Sequence, residues 1–65
     1  MNNLRKIRRL KDMSQYELGR RTKLAQSVLS LIENGFKDPD KRMKTQLSRA
    51  LECTVEEVFP AQDEV

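Results

Sequence analysis

An all-α fold of five short helices follows from three features of this sequence. Two capping boxes, Ser14 with Glu17 and Thr54 with Glu57, each announce a helix start, because the hydroxyl and the carboxylate satisfy one another's orphan backbone N–H groups. Apolar residues recur at helical spacing in two runs, Leu24, Val28, Leu29 and Ile32, then Met43, Leu47, Ala50 and Leu51. Helix-ending residues, Asn34-Gly35, Pro39 and Pro60, separate or close these runs.

Taken in order, the first helix is expected from about Asn3 to Asp12, with Leu4, Ile7 and Leu10 inward, Arg5, Lys6, Arg9 and Lys11 outward, and Met13 packing at the handover. Ser14 opens the second helix, in which Leu18 faces inward, and Arg20, Arg21 and Lys23 close it where cations suit the negative end of the dipole. A turn of three or four residues leads to the third helix, which Asn34-Gly35 ends. Pro39 keeps Asp38 out of a helix, so residues 36–39 form a loop. Asp40 then caps a fourth helix to about Leu51. The fifth runs from Val55 to about Phe59, limited by Pro60, and residues 61–65 are expected to fray.

Sixty-five residues make room for one domain, which buries only about 60% of its unfolded surface and is marginal in stability. A second, ligand-sensing domain is not expected. The net charge of +3 hides a gradient: eight bases against two acids in residues 1–23, five against three in residues 24–51, and none against five in residues 52–65. Such polarity suits a first half that meets a polyanion and an acidic end that points away. The lone Cys53 cannot form an intramolecular disulfide and lacks neighbours for a metal site, so it is expected to be a small buried hydrophobe. With no His, no Gly-rich phosphate loop and no nucleophile beside a base, the residues give catalysis no foothold and call for no cofactor. The polar, basic start carries no apolar run, so neither a signal peptide nor a membrane span is expected, and the expected location is cytoplasmic.

The stretch from Ser14 to Gly35, SQYELGRRTKLAQSVLSLIENG, resembles the helix-turn-helix of the phage-repressor and Cro-like regulators, the XRE family. That motif runs approximately S-Q-x-E-L-A, a turn, then I-S-x-I-E-x-G; Ser14, Gln15, Glu17 and Leu18 match its first half, and Leu29 (conservatively), Ser30, Ile32, Glu33 and Gly35 its second. Three positions depart from it: Gly19 stands where the family usually has Ala, Lys23 where the turn usually has Gly, and Ala25 where Ser or Thr usually caps the recognition helix. Lys23 must therefore accept a backbone that non-Gly residues seldom adopt, or change it. Lys41 and Lys44 also stand where the family is more apolar, which loosens the expected start of the fourth helix. Nearly the whole chain can be laid on the family domain, and the resemblance implies a lambda-repressor-like DNA-binding fold.

The same resemblance implies a regulator of transcription, a repressor, that reads double-stranded operator half-sites in the major groove as a homodimer. Ala25 at the cap position places Gln26 and Ser27 in the first turn and Ser30 and Leu31 one turn on, opposite Leu29 and Ile32. Gln26, Ser27 and Leu31 are the candidate base contacts, since Gln pairs with adenine, Ser with several bases, and Leu presses on a thymine methyl. Gln15, Ser30, Asn34, Lys37 and Arg8 are the candidate phosphate contacts, and Arg8 with Glu33 forms the structural ion pair beneath the DNA-facing surface. A module of this size makes few phosphate contacts, so pairing two on adjacent half-sites nearly doubles the surface; Val55, Val58 and Phe59 are the candidate interface, with intramolecular core as the alternative. The competing function is an antitoxin-type or other interaction module whose main partner is a protein.

Overall fold

A computed structural model describes residues 2–60. Its helices are α1 (Leu4–Leu10), α2 (Gln15–Thr22), α3 (Gln26–Glu33), α4 (Lys41–Ala50) and α5 (Val55–Val58), and the described residues contain no strand. The expected fraying of residues 61–65 lies outside the described residues.

Local chemistry sets most of these boundaries. The N–H of Glu17 donates to Ser14 Oγ at 3.0 Å, that of Met43 to Asp40 Oδ1 at 2.8 Å, and that of Glu57 to Thr54 Oγ1 at 3.1 Å. Thr54 N–H donates back to Glu57 Oε1 at 2.8 Å, completing a capping box around a single turn of helix. Because Asp40 caps α4 in the ordinary way, Lys41 and Lys44 neither loosen nor shift its start.

The helix ends show more strain than the composition suggests. Asp12 (φ 54°), Gly35 (φ 80°) and Glu52 (φ 58°) follow α1, α3 and α4 in the left-handed region. Each is the pivot of the same pair of hydrogen bonds: Asp12 N–H to the Arg9 carbonyl with Met13 N–H to that of Arg8, Gly35 to Ile32 with Phe36 to Leu31, and Glu52 to Arg49 with Cys53 to Ser48. Only one of the three pivots is glycine; left-handed geometry costs about 1–2 kcal/mol at each non-Gly residue. Lys23, at φ 62°, bears the same strain in the turn between α2 and α3.

Every helix contributes to one core: Leu4, Leu18, Leu29, Ile32, Leu47, Leu51 and Val58 are fully buried, and Phe59 nearly so. Ile7, Met13, Leu24, Val28, Met43, Ala50 and Cys53 pack around them half-buried. Leu10, expected inward, is 74% exposed. Steps of three residues each drift about 60° around a helix, which turns Leu10 about 120° from Leu4, and the reversal at Asp12 brings Met13 to the core instead. Two asparagines tie the start of the chain to distant helix ends. Asn2 Nδ2 donates to the Ile32 carbonyl at 3.0 Å, Asn3 N–H to that of Val58 at 2.8 Å, and Asn3 Nδ2 to that of Glu57 at 3.0 Å.

Candidate nucleic-acid interface

The α2–turn–α3 unit is held by contacts no larger side chain would allow. Gly19 is buried in α2, and a Cβ there would lie 2.9 Å from the Leu24 carbonyl oxygen and 3.6 Å from Leu29 Cδ1. The missing methyl therefore lets the turn close against α2. Two departures from the family pattern meet in this contact, since Leu24 follows the left-handed Lys23 directly. Thr22 Oγ1 donates to the Leu18 carbonyl at 2.8 Å, which satisfies the buried hydroxyl at the helix end.

On α3, Leu29 and Ile32 are buried while Gln26, Ser27 and Leu31 are exposed, Leu31 at 45%. Ala25 takes the cap position in extended geometry but offers no side-chain acceptor, so the N–H groups of the first turn lack the cap that Ser or Thr would supply. The outer face of α3 thus presents, near its start, an amide, a hydroxyl and uncapped backbone donors, with an apolar side chain one turn on.

Beneath that face lies Glu33, whose side chain is wholly inaccessible to solvent. Its Oε2 accepts from Arg8 Nε at 2.7 Å; its Oε1 accepts from Arg8 Nη2 at 3.2 Å, Gln15 Nε2 at 3.2 Å and Arg5 Nε at 3.3 Å. One carboxylate therefore joins α1, α2 and α3. Burial pushes its pKa up and is the largest single influence, but the hydrogen bonds from Arg8 and Gln15, the Arg8 charge and the hydrogen bond from Arg5 together outweigh it and hold the carboxyl below its ordinary range. At the surface of α2, Glu17 is also held low, first by its hydrogen bond from Arg21 (2.9 Å), with Arg20 at 3.2 Å adding to it against partial desolvation.

The expected phosphate contacts divide. Lys37 is exposed beyond the end of α3. Gln15 is half-buried and engaged with Glu33. Arg8 leaves only 11% of its side chain exposed, and its Nη1 donates to the Met13 carbonyl at 2.8 Å in addition to the two bonds to Glu33, so it is a tie inside the domain rather than a group aimed at solvent. Asn34 is similarly engaged, its Oδ1 accepting from Arg5 Nη2 at 2.6 Å and its Nδ2 donating to the Ser30 carbonyl at 2.8 Å. Ser30 is half-buried, its Oγ 3.4 Å from Asn34 Nδ2. The sequence does not reveal the part played by Arg5, although its place one turn before Arg8 is the signal that could have shown it. Nor does it single out Phe36, which is 81% exposed just past Gly35.

The expected dimer residues need correction. Val58 is fully buried and Phe59 is 9% exposed, so both fill the core of one chain; a four-residue terminal helix uses its apolar residues to close the domain above Leu47 and Leu51. Lys44 Nζ lies 5.8 Å from the Phe59 ring centroid. Val55 remains at the surface, 36% exposed.

Among the described residues no group of three or more His, Cys, Asp or Glu could hold a metal ion, and no helix is long and apolar enough to cross a membrane. No curated protein matches the chain. The Helix-turn-helix family model matches residues 4–58, from the first residue of α1 to the last of α5. With that match spanning all five helices around a Gly-assisted turn and an α3 whose outer face is exposed, the chain belongs to the helix-turn-helix family of phage-repressor and Cro-like (XRE) regulators, DNA-binding regulators of transcription.

Proposed function

We propose that this protein is a sequence-specific repressor that sets α3 in the major groove of an operator half-site and occupies a two-fold operator as a homodimer. The observation that carries this reading is the outer face of α3, where Gln26, Ser27 and Leu31 stand exposed over the buried Leu29 and Ile32. Gln26 and Ser27 supply hydrogen bonds to base edges and Leu31 an apolar contact, while Lys37 and the start of α2 supply backbone contacts. Occupying the operator blocks other proteins from the same DNA, which is repression in its simplest form.

Selection of bound sequences from a random duplex pool tests this directly, with a two-fold consensus expected. On the selected site Gln26→Ala should cost about 1–3 kcal/mol and relax the preference at one base pair. Equal losses on selected and random DNA would count against base reading by this residue. Phe36, so widely exposed, favours a second reading in which a protein partner covers that end of α3. A stoichiometric protein co-purifying with the chain and displaced by Phe36→Ser would support it.

A further inference from the structure

Lys37, exposed past the end of α3, is free to take a phosphate there, but two other candidate phosphate contacts, Asn34 and Arg8, have their polar groups engaged within the chain. Asn34 has its amide oxygen on Arg5 and its nitrogen on Ser30, and Arg8 is locked by Glu33 and the Met13 carbonyl. Arg5 is in a different position. Of the five N–H groups of a guanidinium, one donates to Glu33 at 3.3 Å and one to Asn34 at 2.6 Å, and 42% of the side chain is exposed. A fork already fixed at two points loses little freedom on meeting an anion. Its charge also survives the pairing, because the single negative charge of Glu33 is shared with Arg8.

Arg5 is not alone. Lys6 and Arg9, both exposed, line one concavity with it on the outer side of α1, closed by Asn2, Asn3 and Leu10. Three cations thus converge on a hollow whose edge is Glu33, and Arg5 links that hollow to the last turn of α3 through Asn34. The charge selects an anion, and the place beside the end of α3 selects the backbone of the duplex that α3 reads over an acidic protein.

We propose that the α1 concavity is a phosphate-binding site for duplex DNA, anchored by Arg5 and flanked by Lys6 and Arg9, and that it does the work expected of Asn34. Its location on the operator rests on the reading of α3 given above; its chemistry does not, since phosphates are gripped on any sequence.

The test is the salt dependence of binding by the full chain to two duplexes of equal length, one carrying the selected site and one random. Arg5→Gln should lower the slope of log affinity against log salt by about one unit on both duplexes, and the Lys6→Gln/Arg9→Gln double variant by about two. Arg5→Lys, which keeps the charge, should restore the slope, and Asn34→Ala should leave it unchanged. Urea melts of each variant separate this from the structural part of Arg5, because a loss of stability alone does not alter the number of counterions released. An unchanged slope for Arg5→Gln overturns the site. Should the substitutions spare both DNA slopes yet abolish binding to polyglutamate, the hollow belongs to an acidic protein and the proposal falls. If the unmutated chain binds the two duplexes equally while Arg5→Gln still lowers the slope, base reading by α3 is lost and the α1 site stands.

Discussion

Glu33 concentrates three helices on one buried carboxylate, and its removal strands Arg8 with little access to water. Glu33→Ala is therefore expected to destabilise the domain by about 3 kcal/mol at neutral pH. The sign of the pH dependence follows from the depressed pKa: the stabilisation is fully present above the unfolded value of about 4.3 and disappears as pH falls through the lower folded value. Urea melts should show the gap between the unmutated and Ala chains narrowing below about pH 4. A gap as wide at pH 3 as at pH 7 would mean the carboxylate charge contributes nothing. Ser48 presents the opposite case, a hydroxyl 2% exposed in α4 whose Oγ has no hydrogen-bond partner among the described residues. Ser48→Ala should raise stability by about 1 kcal/mol, seen as a rise of about 4–8 °C in Tm. The Arg8–Glu33 contact was legible in the sequence through the family motif, whereas Arg5 was not, since its reach to Glu33 and Asn34 depends on how α1 lies across α3.

The start of an element proves easier to read than its end or its inward face. Ser14, Asp40 and Thr54 cap with their own side chains, a bond made within three residues, so α2, α4 and α5 begin where expected. Asn3 instead reaches across the domain to Glu57, and α1 begins and ends inside its expected bounds. Leu10 and Val58 were misplaced for a shared reason: periodicity tells which residues align on a helix but not which neighbour covers them. The turn between α2 and α3 carries a prediction of its own. Gly19→Ala gains about 1 kcal/mol of helix propensity but drives a methyl into the Leu24 carbonyl, a backbone atom that cannot swing aside. Overpacking of this kind costs about 1–3 kcal/mol, so the variant should melt lower although the family usually has Ala at this position. A higher Tm would show that the turn yields freely.

At the scale of the molecule the charge gradient and the size of the exposed apolar surface bear on assembly. A stable interface buries about 1,200–2,000 Å² in total, and with Val58 and Phe59 inside the core, Val55 alone of the expected interface residues is substantially exposed. The chain is therefore expected to sediment as a monomer at micromolar concentration and to pair on a two-fold duplex whose half-sites lie about 34 Å apart. Val55→Asp should reduce cooperativity between half-sites while leaving affinity for one half-site unchanged. Saturation at one chain per two-fold duplex would refute pairing. The bonds from Asn3 to Val58 and Glu57 have a bearing on the birth of the protein as well as on its finished form. Synthesis runs from the N-terminus, so Asn3 leaves the ribosome with its acceptors still 54 and 55 residues away in the sequence. The first helix waits for the last, and a nascent chain cannot complete its core around Leu4 until Val58 has been translated. The packing that backs α3 is therefore expected to be complete only after residue 58 has been translated.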